Sequence, residues 1–129
     1  MTHVLVVDDS ATFRRLVSPV LRDAGYAVSE APDGMEGLAK LRASTEPLIV
    51  LLDVVMPRMG GIGLLNAVDD DKVMEKRHAF ILVTATPDVV RPRLIADMLE
   101  RLRVPLLTKP FPNEDLLAAV SAAQSRLGV

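Results

Sequence analysis

The chain has 129 residues, half of them hydrophobic and a quarter charged, the balance of one globular domain with a sizeable core. A net charge of −2 argues against a sequence-independent nucleic-acid binder, which needs a strong basic excess. The absence of cysteine removes disulfides, thiolate zinc sites and thiol nucleophiles, and fits a reducing, cytoplasmic setting.

The first apolar run, residues 4–7, ends in Asp8 and Asp9, so it is neither a signal peptide nor a membrane span. It has no polar alternation, the pattern of a strand buried on both faces of a parallel sheet. Ser10 or Asp9 caps the helix expected next, whose apolar stripe is Phe13, Leu16, Val17, Val20 and Leu21. Gly25 stands where a helix-terminating glycine belongs.

A weaker strand is expected over residues 26–31, followed by the turn signal Asp33-Gly34 and a helical stripe of Met35, Leu38, Ala39 and Leu41. Residues 48–52 are five apolar residues running into Asp53. The glycines and proline of residues 56–61 break regular structure, and a short helix is expected over Gly61–Asp69. Residues 80–83 form another buried-strand run before Thr84, and Pro87 to Arg91 reads as an extended loop, with Pro92 in a first helical turn. Leu94, Ile95, Met98, Leu99 and Leu102 form a helical face, Leu106-Leu107 a short strand, and Asn113 a cap for a last helix carrying Leu116, Leu117, Val120 and Ala123. The alternation is β-α five times over. It predicts an α/β, doubly wound (βα)5 fold: a five-stranded parallel sheet with helices on both faces.

Chemistry gathers at the strand ends. Asp8 and Asp9 follow the first strand, Asp53 the third, Thr84 the fourth, and Thr108-Lys109-Pro110 the fifth. In such sheets ligands bind outside the carboxyl ends of the strands. Like-charged carboxylates about 4 Å apart repel by roughly 4 kcal/mol at an effective dielectric near 20. Lys109 offsets part of that, and a divalent cation answers it better. Hard oxygens without nearby histidine or cysteine select Mg²⁺ or Mn²⁺. Such a site suits phosphoryl transfer, with Asp53 as nucleophile and the cation, Lys109 and Thr84 on the phosphoryl oxygens.

At this point the motifs Val-Val-Asp8-Asp9-Ser10, Leu-Leu-Asp53-Val-Val-Met56-Pro57-Arg-Met59-Gly-Gly61, Val83-Thr84-Ala85 and Thr108-Lys109-Pro110-Phe111 can be read together. The chain resembles, over essentially its whole length, the receiver domain of two-component response regulators, the CheY-like, flavodoxin-like fold. The resemblance implies that Asp53 is the phosphoacceptor, and that Asp8, Asp9 and the main-chain carbonyl of Val55 hold Mg²⁺ with it. It further implies that Thr84 is the switch hydroxyl, that Lys109 pairs with the phosphoryl group, and that Lys109-Pro110 is cis. The phosphoryl donor would be a sensor histidine kinase or a histidine phosphotransfer protein. The expectation is a stand-alone receiver spanning residues 1–129, with no output domain, that signals to a downstream protein rather than to nucleic acid or a membrane. It is a signalling domain rather than an enzyme in the ordinary sense.

Two departures stand out. The family usually places Tyr or Phe three residues before the lysine, where this chain has Leu106, and the segment from Thr84 to Lys109 is a few residues longer than its norm. Val55 and Thr86, which in the family influence how attacking water is placed, are poor bases, so slow loss of the phosphoryl group is expected.

Two rival functions remain. A haloacid-dehalogenase-type phosphatase usually carries a second acid two residues after its nucleophile, where this chain has Val55. A pseudo-receiver would keep the fold and bind partners without phosphorylation. Elsewhere, Asp69-Asp70-Asp71 reads as a solvated helix end without calcium-loop spacing, and Gly61 to Asn66 lacks the last glycine of a dinucleotide fingerprint. His3 and His78 lie at strand starts, far from the acidic rim.

Overall fold

The computed structural model describes residues 1–128. Its strands are β1 (His3–Val7), β2 (Ala27–Ala31), β3 (Leu48–Asp53), β4 (Ala79–Thr84) and β5 (Leu106–Thr108). They form one parallel sheet in the order β2-β1-β3-β4-β5. The helices are α1 (Ala11–Asp23), α2 (Gly34–Ala43), α3 (Gly61–Asp69), α4 (Lys72–Arg77), α5 (Arg93–Arg101) and α6 (Asn113–Leu127).

Successive strand residues point to opposite faces, so unbroken apolar strands supply two cores. Leu5, Val7, Val50, Leu52, Phe80 and Leu82 pack with Leu38 and Leu41 of α2, Leu64 and Leu65 of α3, and Met98 of α5. Val4, Val6, Ile49, Leu51, Ile81 and Val83 pack on the other face with Val17 and Leu21 of α1 and Leu116 and Val120 of α6. Each such side chain contributes about 1.5–3 kcal/mol by leaving water. No helix among the described residues is long and apolar enough to cross a membrane.

Ser10, not Asp9, caps α1: its hydroxyl accepts from the Phe13 N–H at 3.1 Å. Gly25 follows the helix end at φ +97°, as its position implied.

Several expectations are corrected. The helix α4 went unread because its charged residues give no apolar stripe. It forms because Asp71 accepts from the N–H groups of Val73 and Met74, at 3.1 and 3.2 Å, while Met74 is buried. The acidic run therefore joins two helices: Asp69 closes α3 and pairs with Arg101 at 2.6 Å, and Asp71 opens α4. Pro87–Val90 is a 3-10 turn rather than an extended loop, and Pro92 precedes α5. Asn113 is the first residue of α6, which starts after Pro112 without a side-chain cap. Leu16, Met35 and Leu94 belong to apolar stripes by spacing yet are exposed, because each lies beyond the edge of the packed face.

Candidate functional site

Strand order reverses between β1 and β3, which leave the sheet's centre for opposite edges. Val7 pairs with Leu52, so the next residues, Asp8 and Asp53, emerge side by side at the carboxyl rim. Asp8 is buried, Asp53 half-buried and Asp9 exposed. One carboxylate oxygen from each of the three lies within 4.8 Å of the other two.

Asp8 is held on every side. One oxygen accepts the Ser10 N–H at 2.9 Å, the other accepts Lys109 Nζ at 2.9 Å, and its carbonyl accepts Arg14. Arg14 is itself fixed by Glu30 at 3.0 Å. Asp53 Oδ1 accepts the Val54 N–H at 2.9 Å and lies 4.0 Å from Lys109 Nζ. Lys109 thus stands between two carboxylates, with its ammonium 4.0 Å from the centre of the Phe13 ring. Phe13 in turn meets Phe111 edge to face at 6.2 Å. The Lys109-Pro110 bond is cis, and the Lys109 N–H donates to the Thr84 carbonyl at 2.8 Å. These contacts aim the ammonium at the acids.

One lysine does not neutralise three carboxylates. Burial, then the Asp8 charge, push the Asp53 carboxyl up to about 6, against the pull of Lys109 and the Val54 N–H. The deficit is one of positive charge among hard oxygen donors, which a magnesium-like ion fits in both charge and ligand type. Asp8, Asp9 and Asp53 are the groups that could hold it.

The loop after β3 returns so closely that a Cβ on Gly61 would stand 2.4 Å from the Asp53 carbonyl oxygen. Glycine is required there, and the Gly61 N–H closes the turn on the Val54 carbonyl at 2.9 Å. Val55, exposed, sits in this loop two residues past Asp53. Thr84 is buried at the end of β4, beside the strand that carries Asp53, and its hydroxyl accepts the Thr86 N–H at 2.9 Å. Leu106 opens β5 opposite Leu82 and packs into the core. His3 and His78 lie at the opposite ends of their strands, away from the acids.

Sequence reasoning missed Arg14, the Thr84–Thr86 contact, and a pair between Asp33 and Arg58 that braces the loop after β3. Only the first had a signal: an arginine one turn into α1 that follows an acid at the strand end.

The response regulator receiver domain model matches residues 4–121. The chain is 32% identical to protein PilG of Pseudomonas aeruginosa over 121 residues, covering 92% of this chain and 84% of PilG. It is 34% identical to the transcriptional regulatory protein CseB of Streptomyces coelicolor, covering 98% of this chain but only 51% of CseB. The structure of response regulator protein TrrA from Thermotoga maritima, in complex with Mg²⁺ and BeF, superposes with a TM-score of 0.79 at 27% identity, covering 95% of this chain and 99% of TrrA.

Proposed function

The chain belongs to the response regulator receiver domain family, and from that premise we propose that Asp53 accepts a phosphoryl group in a Mg²⁺-dependent reaction. The observation that carries this reading is the convergence of Asp8, Asp9 and Asp53 around Lys109, which reaches Asp8 at 2.9 Å and Asp53 at 4.0 Å. The family works generally by phosphorylation-based signalling, and the Mg²⁺ complex of TrrA supports the choice of metal.

A bound cation supplies charge neutralisation and orients the phosphoryl oxygens. Asp8, Asp9, Asp53 and the Val55 carbonyl would hold it. An Asp53 oxygen forms the new bond to phosphorus. The bond to the donor breaks, and its electron pair leaves on the donor atom, the imidazole nitrogen of a phosphohistidine or the oxygen of acetyl phosphate. Lys109 neutralises charge on one phosphoryl oxygen and the Thr84 hydroxyl donates to another. The donor is a sensor histidine kinase or a histidine phosphotransfer protein, and the output is altered binding to a protein target in the cytoplasm. The phosphoryl group shifts the conformational balance only by as much as it binds one state better, and Thr84 and Lys109 are placed to make that difference.

The test is intact mass after mixing with acetyl phosphate, with and without Mg²⁺, beside an Asp53→Asn variant. A single phosphoryl gain that needs both Mg²⁺ and Asp53 is expected. No gain, in protein that binds Mg²⁺, would overturn the reading and favour a pseudo-receiver.

A further inference from the structure

Thr86 follows Thr84 by two residues, and the two are tied twice. The Thr86 N–H donates to Thr84 Oγ1 at 2.9 Å, and the two hydroxyl oxygens are 3.2 Å apart. A threonine hydroxyl carries one proton and two acceptor positions. The Thr84 hydroxyl belongs to a residue only 2% exposed, and its sole acceptor among the described residues is Thr86 Oγ1. Thr86 is exposed and can give its own proton to water. A buried proton without an acceptor costs far more than an exposed one. The direction of the bond follows: Thr84 donates and Thr86 accepts.

We propose that Thr86 is a positioning residue that holds the Thr84 proton in the unmodified protein and so opposes its donation to a phosphoryl oxygen on Asp53. This rests on the reading of Asp53 and Thr84 given above, and adds to it an internal competitor for the hydroxyl. The proton can serve only one acceptor at a time. Each phosphorylation therefore breaks the Thr84–Thr86 hydroxyl bond, while the backbone bond from the Thr86 N–H can persist. The side chain at position 86 then sets part of the free-energy gap between the two states, without itself touching the phosphoryl group.

Thr86→Val keeps the shape and the N–H but removes the acceptor, whereas Thr86→Ser retains it. The probe is beryllofluoride with saturating Mg²⁺, a stand-in for the acyl phosphate, with Kd read by calorimetry or fluorine NMR. Thr86→Val should bind about 3–10-fold tighter than the unaltered protein, the scale of one net hydrogen bond. Thr86→Ser should bind like the unaltered protein, and the gain should vanish in a Thr84→Val background. Equal or weaker binding by Thr86→Val would overturn the proposal, as would a gain that survives without the Thr84 hydroxyl. Failure of the unaltered protein to bind beryllofluoride is a separate result, which would overturn the phosphoacceptor reading beneath it.

Discussion

Arg58 donates to one carboxylate oxygen of Asp33 through both Nε, at 2.9 Å, and Nη2. The pair joins the loop after β3 to the start of α2, with Glu36 also 3.7 Å from the guanidinium. Beside it the Gly34 N–H donates to the Met59 carbonyl at 2.9 Å, an approach so close that a Cβ at position 34 would stand 2.3 Å from that oxygen. Asp33 also caps α2, accepting the Glu36 N–H at 2.9 Å; that bond first, and Arg58 after it, hold its carboxyl below the usual range. Arg58 adopts φ 66°, a left-handed conformation that a side chain enters only when held.

The loop so held carries Val55, whose carbonyl is the proposed fourth metal ligand. Arg58→Ala keeps the same backbone restriction but removes the brace. It should weaken Mg²⁺ binding by about 10-fold, the lower range for lost outer contacts of a metal site. Calorimetric Mg²⁺ titration of both proteins checks this. Unchanged affinity would mean that the loop keeps its place without Arg58.

The raised Asp53 carboxyl makes a stability prediction for metal-free protein. Its folded value, about 6, lies above the ordinary 3.8, so between these the folded state binds more protons than the unfolded one. Stability therefore falls as pH rises through that window, and the loss persists at neutral pH. Asp53→Asn removes the cost and should stabilise the metal-free protein at pH 7 by about 1–2 kcal/mol, allowing for solvent at the rim. Mg²⁺ should raise the melting temperature of the unaltered protein more than that of the variant. A lower melting temperature for metal-free Asp53→Asn would contradict the charge-repulsion account.

His78 acts with the opposite sign. Its Nδ1 accepts the Leu48 N–H at 3.0 Å, and its buried Nε2 has at most a weak contact with the Leu41 backbone. Burial, then the nearby Arg77 charge, lower the ring to about 4 from the ordinary 6.5. The unfolded state binds the extra proton in this window, so stability is lost as pH falls from 6.5 towards 4. The contribution is on the order of 2–3 kcal/mol. His78→Asn retains an acceptor for Leu48 and should flatten this part of the stability curve, measured by denaturant unfolding at several pH values. An unchanged slope would show that His78 does not carry it.

The fold was legible because its central strands leave little choice. Residues such as Leu51 and Leu52 are both fully buried, which only a sheet covered on both faces permits, and the acids stand where those runs stop. The cluster of Asp8, Asp53 and Lys109 was legible for the same reason: parallel strands bring their carboxyl ends to one rim. What escaped depends on groups that no period marks. The helix α4 rests on one Asp71 cap and one buried Met74, and the Arg58–Asp33 brace joins residues from two loops. The Thr84–Thr86 bond depends on a hydroxyl rotamer, which spacing alone does not specify.

The role proposed for Thr84 can be tested apart from the phosphoryl chemistry. Thr84→Ala leaves Asp53, Lys109 and the acidic pair in place, so phosphorylation by acetyl phosphate with Mg²⁺ should still occur. The chemical-shift changes that beryllofluoride causes in β4 and the following turn should be blunted. A full response in the variant would remove Thr84 from the switch.

The lifetime of the phosphoryl group follows from what surrounds its proposed site. Hydrolysis needs a water oriented at phosphorus, ideally by a group that can take its proton. Val55 is exposed and aliphatic, and so offers neither a base nor an acceptor. Thr86 has only a hydroxyl, which is too weak a base to take the proton of an attacking water. Asp8 and Asp9 would be committed to the cation in the proposed site, and Lys109 carries no lone pair while charged. The phosphorylated protein should therefore persist for minutes or longer once free acetyl phosphate is removed by gel filtration, followed by intact mass. Val55→Gln, which places an amide beside the same water path, should shorten that time. Decay within seconds in the unaltered protein would mean that a group other than these two positions activates the water.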